Sequence, residues 1–220
     1  MRSTGKRFER PLVRGFLHEP HGIPGAAMAL FHGAGSNCEA GLMRAVAEAF
    51  SKSGVLVFRG DLPFRQERAQ GPPRGGSKHD QEGIRRAAEE LRSLALEAPL
   101  FLAGHSYGGR QCSILAAEDP FILETAVSRF MIAALLLLSY PLHPPGNASL
   151  LRTGHFPALR TPVLFVHGTR DPFGTVEEMQ AALIPIPART ELMVIEGAGH
   201  GVRESVATLL PERLSNLIES

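Results

Sequence analysis

Apolar residues in this chain fall into short runs, separated by stretches whose apolar positions recur every three or four residues. The runs are Leu12–Leu17, Ala26–Phe31, Val55–Phe58, Leu100–Ala103, Ala134–Leu138, Val163–Val166 and Leu192–Ile195. Several lack polar alternation, the pattern of strands covered on both faces in a mainly parallel sheet. Between them, Asp80–Glu97 puts Ile84, Ala87, Ala88, Leu91, Leu94 and Ala95 on one helical face. Val202–Ile218 repeats this spacing, and Leu42–Phe50, Gly109–Glu118 and Thr175–Leu183 read as further helices. Strands alternating with helices predict right-handed βαβ units. The expected architecture is an α/β fold, a doubly wound and mainly parallel sheet with helices on both faces. No repeat and no Gly/Ser-rich linker interrupts the pattern, so residues 1–220 are expected to form one domain.

Two stretches resist the pattern. Gly60–His79 holds Pro63, Pro72, Pro73 and three internal glycines beside Arg65, Arg68 and Arg74, and reads as a long irregular loop. Phe121–Arg160 is expected to supply one helix, the strand Ala134–Leu138 and the return to the next strand, which leaves little chain for a large cap.

Charge narrows the choice of partners. With 23 basic and 22 acidic residues there is no overall field to attract nucleic acid or an anionic membrane. The longest apolar run, Met131–Leu138, falls short of the ~20 residues that cross a bilayer. Met1–Pro20 has no apolar segment of the secretory kind. A soluble, cytoplasmic protein is expected, without nucleic-acid or membrane partners; oligomeric state is left open. Cys38 and Cys112 lack CxxC spacing, lie in stretches that read as helical, and are expected to be buried free thiols. No HExxH or comparable cluster appears, so neither a metal nor a cofactor is expected.

The chemistry concentrates at Gly104-His105-Ser106-Tyr107-Gly108, a G-x-S-x-G sequence directly after the run Leu100–Ala103 and before a helical stretch. That setting suits a sharp strand-to-helix turn that exposes a serine hydroxyl. A serine attacks only when a base takes its proton and a carboxylate orients that base. Asp171 follows Val163–Val166 and His200 follows Leu192–Ile195, each in the loop after a later strand. Glu196 and Asp119 are rival acids, and Glu196 lies too near both the strand end and His200 to be preferred. Acyl transfer also needs N–H donors for the developing oxyanion. The backbone N–H of Tyr107 is one candidate. The N–H of Ala34, in the loop His32-Gly33-Ala34-Gly35, is the other.

These segments, with Tyr140-Pro141-Leu142-His143-Pro144-Pro145-Gly146 and the arginine-bearing stretch Arg59–Arg68, resemble a group of small cap-less α/β-hydrolases over almost the whole chain. The group is similar to dienelactone hydrolases and to the hydrolase-like domain of a eukaryotic chromatin-complex subunit. The resemblance implies an α/β-hydrolase fold without a large cap domain. It implies a serine hydrolase acting on a small carboxylic ester or thioester, with a small-molecule acyl substrate as its partner. Dienelactone hydrolases use cysteine where this chain has Ser106, so their substrate is not carried over. The alternative is a catalytically silent binding or interaction module, which has no reason to keep serine, aspartate and histidine together. Arginines in Gly60–His79 and Pro141–His155, the segments expected to wall the site, are either solvated or favour an anionic acyl or leaving group.

Overall fold

Strand and helix alternate along β1 (Lys6–Arg10), β2 (Val13–His18), β3 (Ala26–Phe31), α1 (Gly41–Lys52), β4 (Val55–Asp61), α2 (Pro63–Glu67), α3 (Ser77–Leu94) and β5 (Leu100–His105). They continue as α4 (Tyr107–Glu118), β6 (Phe121–Glu124), β7 (Arg129–Leu138), β8 (Val163–Gly168), α5 (Val176–Leu183), β9 (Thr190–Ile195) and α6 (Leu210–Glu219). The computed structural model describes residues 5–74, 77–119, 121–124 and 129–219.

The sheet runs β1-β2-β4-β3-β5-β7-β8-β9, with β6 paired to β7 beside this path. From β4 to β9 all neighbours are parallel; β1 and β2 are antiparallel additions, and β6 pairs antiparallel with β7. Strand order reverses between β3 and β5. The helices that follow these two strands leave for opposite faces there, opening a crevice at the carboxyl ends of the strands.

Alternate strand residues feed two cores. Met28, Leu30, Val57, Ala103, Leu136 and Val166 face Met43, Val46 and Phe50 of α1 and Leu210, Leu214 and Leu217 of α6. Ala29, Phe31, Phe58, Leu102, Leu137 and Phe165 face α3, α4 and α5 through Ile84, Leu91, Cys112, Leu115 and Met179. Burial on both faces is why the strand sequences show no polar alternation.

Four expectations need correction. Gly60–His79 is not a continuous irregular loop: β4 extends to Asp61, α2 follows, and α3 begins at Ser77, with residues 75 and 76 outside the described residues. Pro63 opens α2, a position where its missing N–H costs nothing, and Arg65 within it binds carbonyls of the loop after β3. The helix expected within Phe121–Arg160 is absent from the described residues, which hold β6, β7 and one 3-10 turn at Phe156–Ala158. Cys38 lies in a turn before α1 rather than in a helix, although both cysteines are buried and free as expected. The pattern over Val202–Ile218 splits into a 3-10 segment, Glu204–Leu209, and α6, because Pro211 cannot continue a preceding helix but fits a first turn. The charged β1 and the hairpin partner β6 were not legible as strands.

Arg59 of β4 is 2% exposed and braces the β2–β4 side. Its Nε–H donates to His18 Nε2 at 2.8 Å, an Nη donates to the Cys38 carbonyl at 2.6 Å, and its guanidinium lies 4.1 Å from the Phe16 ring centre. Burial, aided by the Arg59 charge, pushes His18 down to about 4. The unfolded chain takes up that proton near pH 6.5. Between these values the unfolded state binds more protons, so stability falls as pH drops from about 6.5 towards 4, by up to about 1.4 kcal/mol per pH unit per such histidine. Thermal melts are therefore expected to lose Tm across this window, with a shallower loss in His18→Gln, which keeps an acceptor for Arg59. An identical slope in the variant would contradict the assignment.

Candidate active site

β5 delivers Ser106 to the crevice in a backbone conformation that ordinary residues avoid, with φ 50° and ψ −114°. The turn closes only because its neighbours lack side chains. A Cβ on Gly104 would overlap the Gly109 nitrogen, and one on Gly108 would overlap the carbonyls at the end of β3. The Ser106 N–H donates to the Leu138 carbonyl at 2.8 Å, so β7 holds the turn from its other side. A residue in such a region costs ~1–3 kcal/mol, which the surrounding packing has to offset.

The three side chains singled out in the sequence meet here. His200 Nε2 lies 2.7 Å from Ser106 Oγ, and His200 Nδ1 lies 3.0 and 2.9 Å from the two Asp171 carboxylate oxygens. The Asp171 side chain is fully buried, and its Oδ1 also accepts the Phe173 N–H at 2.9 Å. With Nδ1–H donated to the carboxylate, Nε2 carries the lone pair that faces the serine hydroxyl. Such a chain can move the serine proton to histidine and stabilise the resulting charge. Glu196 is exposed and accepts instead from Thr169 Oγ1, while Asp119 pairs with Arg85 at 2.9 Å. Neither rival acid reaches His200.

Backbone bonds register the two loops that carry acid and base. Thr169 N–H donates to the Ile195 carbonyl at 3.1 Å and Arg170 N–H to the Ala198 carbonyl at 2.8 Å. Phe173 then packs its ring against that of His200, centre to centre 4.1 Å. His105, on the opposite side, donates Nε2–H to the His200 carbonyl at 2.9 Å and is kept neutral by burial, which lowers its pKa. Phe173 and His105 went unnoticed in the sequence. The only sign was their position beside motif residues.

Tyr107 follows Ser106 directly, and the loop that carries Ala34 approaches Ser106 at Gly33. Tyr107 is the first residue of α4, where an N–H has no partner within its own helix. Its hydroxyl donates to Asp80 Oδ2 at 2.7 Å, and Asp80 Oδ1 accepts the Phe64 N–H at 3.0 Å, tying α4, α3 and α2 together. In the β3 loop, His32 Nε2 accepts the Leu62 N–H at 3.1 Å, so its Nδ1–H donates to the Gly33 carbonyl at 2.8 Å. That carbonyl shares a trans peptide with the Ala34 N–H, which therefore points away from His32. Burial keeps His32 neutral by lowering its pKa. Arg65, 5% exposed, clamps the same loop through the carbonyls of Ala34 and Ser36, each at 2.8 Å, and also binds those of Gly71 and Arg68. It is thus neither solvated nor free for an anion.

No group of three or more metal-ligating side chains occurs among the described residues. Burial, followed by Asp61, pushes the Cys38 thiol up to about 12, and burial raises that of Cys112, so neither supplies a thiolate near neutral pH. No helix among the described residues is long and apolar enough to cross a membrane. An apolar groove of about 790 Å³ lies at the opposite end of the sheet, against Phe50, Phe101 and Leu214, and touches none of the site residues.

This arrangement of crevice, elbow and facing histidine is that of an α/β-hydrolase fold without a cap domain. Residues 24–211 match the alpha/beta hydrolase domain family, and the chain belongs to it. Among solved structures it is similar to Est1E from Butyrivibrio proteoclasticus, at 18% identity over 98% of this chain and 99% of that one, with a TM-score of 0.74. A dienelactone hydrolase from Anabaena variabilis ATCC 29413 matches at 21% identity, 94% and 90% coverage and a TM-score of 0.70. XC6422 from Xanthomonas campestris, described as an α/β serine hydrolase without a lid, matches at 16% identity, 98% and 93% coverage and a TM-score of 0.63. At these identities the likeness is one of fold.

The approach of the β3 loop to the elbow can be probed at Gly33. A Cβ there would stand 2.9 Å from His105 Nδ1 and 3.3 Å from Ser106 Cβ. Gly33→Ala is expected to fold with a loss of ~1–3 kcal/mol in denaturant melts. Labelling of Ser106 by a fluorophosphonate should slow by about tenfold or more, since small misplacements are costly at a reacting group. Equal labelling rates would mean that this contact does not govern the site.

Proposed function

We propose that the protein is a serine hydrolase that cleaves a small carboxylic ester or thioester through an acyl-enzyme on Ser106. The observation that carries this reading is the unbroken hydrogen-bonded chain from buried Asp171 through His200 to Ser106 on a strained elbow. His200 Nε2 takes the hydroxyl proton as Ser106 Oγ bonds to the substrate carbonyl carbon. The carbonyl π pair moves to oxygen, where the N–H groups of Tyr107 and Ala34 receive it. As the pair returns, the bond to the leaving oxygen or sulfur breaks and His200 hands that atom its proton. Water then repeats the sequence at the acyl-enzyme, releasing the acid and restoring Ser106. Asp171 keeps Nδ1 protonated and stabilises the imidazolium without itself taking the proton. Membership of a hydrolase family and the fold likeness to esterase PE8 and to Est1E, the latter solved with ferulic acid bound, support the same class.

Intact-mass spectrometry after fluorophosphonate treatment is expected to show a single adduct, absent from Ser106→Ala. An unlabelled wild-type chain would point to a silent binding module. Asp171→Asn should remain folded while kcat falls about 10³–10⁴-fold, because the amide favours the wrong histidine tautomer. Near-wild-type turnover in that variant would remove Asp171 from the chain of proton transfer.

With no cap domain, long acyl chains lack a covered channel, so each added methylene gains less than the ~0.8 kcal/mol of a closed apolar pocket. Across an unbranched nitrophenyl ester series, kcat/KM is expected to peak at short acyl chains. A steady rise through octanoyl would contradict an open site.

A further inference from the structure

Several arginines here have their charge answered by a carboxylate. Arg14 pairs with Asp61, Arg85 with Asp119, Arg86 with Glu82 and Glu89, and Arg213 with Glu191. Arg65 spends its donors on backbone carbonyls. Arg110 and Arg152 differ. Neither has a carboxylate within 4.0 Å among the described residues, although both are partly buried and each lies in the other's field.

Their position is tied to the elbow. Arg110 sits one turn along α4, its N–H donating to the Ser106 carbonyl at 2.9 Å, so the two residues share a face about 6 Å apart along the axis. Its Nε is buried and has no hydrogen-bond partner. Arg152 comes from the segment after β7, where the Tyr140 hydroxyl donates to its carbonyl at 2.7 Å. The Arg110 charge acts on the same tyrosine hydroxyl. Arg152's own guanidinium makes one contact with the Pro141 carbonyl at 3.5 Å. The neighbouring His155 offers no negative charge: Ser113 donates its hydroxyl to the Arg110 carbonyl at 2.9 Å, leaving its oxygen to accept His155 Nε2–H at 2.8 Å. Burial and the Arg110 charge hold that imidazole down to about 4, so it is neutral at pH 7.

Two partly buried like charges on neighbouring segments, one with an unpartnered buried donor, gain from an anion that joins them. The planar donor fork of arginine matches a carboxylate. We infer that Arg110 and Arg152 form a carboxylate-binding subsite one helical turn from Ser106, selecting esters whose acyl chain ends in a carboxylate. The subsite assigns a substrate class to the site proposed above and rests on that reading for its catalytic role.

Mono(4-nitrophenyl) adipate and 4-nitrophenyl hexanoate have acyl chains of equal length and differ in the terminal charge. In the full chain, kcat/KM is expected to favour the adipyl ester by about tenfold or more, the range of a charge-assisted hydrogen bond, with the ratio falling towards one in Arg152→Gln and Arg110→Gln. A wild-type ratio at or below one, or an unchanged ratio in both variants, would overturn the subsite. Calorimetric binding of free adipate to Ser106→Ala separates the two readings. Adipate binding that weakens tenfold or more when Arg152→Gln is added, in a wild-type chain that hydrolyses neither ester, would keep the subsite and refute the hydrolase. Hexanoyl hydrolysis without adipate binding would do the reverse, and failure of both would refute both. Circular dichroism of each variant identifies one that has not folded, and Arg152→Lys, which keeps the charge on the loop, then takes the place of Arg152→Gln with partial retention of the ratio expected.

Discussion

The backbone of Ser106 is the constraint on which the rest of the structure depends. Its left-handed geometry stores strain, and every element around it works to keep that strain in place. β5 feeds the turn from the centre of a sheet buried on both faces, and α4 leaves it at once. The Leu138 carbonyl holds the serine N–H, and glycines at 104 and 108 let strand, helix and the β3 loop close to backbone contact. Relaxing the turn would pull α4 away from its core, so packing across the domain enforces a local conformation that the dipeptide itself disfavours.

The charge relations at the site follow from burial. Asp171 is buried and pairs with no arginine or lysine among the described residues; its carboxylate is held by the Phe173 N–H and by His200. A carboxylate so placed has strong reason to keep the facing imidazole oriented, because losing that contact would leave a buried charge with one fewer donor. The imidazole is also gripped as a ring, by Phe173 against it and by the His105 bond to its own carbonyl. Sheet ends thus set position, and packing of loop against loop sets orientation.

Arginine serves two opposite ends within a short distance. Arg65 is a strut: its donors meet carbonyls of the β3 loop and of its own segment, stiffening the wall that carries Ala34. Arg110 and Arg152 have no carboxylate within 4.0 Å among the described residues. Residue type alone could not separate these uses, since the difference lies in which acceptors the fold brings within reach.

Much of the architecture was legible in the chain. Uninterrupted apolar runs such as Ala26–Phe31 and Val163–Val166, short and set between helical stretches, fit strands buried on both faces, and the spacing in α3 fits a one-sided helix. Ser106, Asp171 and His200 were legible too, because each must stand just after a strand and their order along the chain survives folding. What escaped was non-local or lacked a burial signal. β1 is charged on its exposed face and joins the sheet only because β2 is there to pair with it. α2 is a single turn stabilised by Asp80 from elsewhere in the chain and by its own Arg65, which binds carbonyls of the β3 loop. The grips of His105, Phe173, His32 and Arg65 on the site, and the pairing of Arg110 with Arg152, depend on distances between residues far apart in sequence. Periodicity records which side of an element faces the core; only the folded chain decides which polar groups meet there.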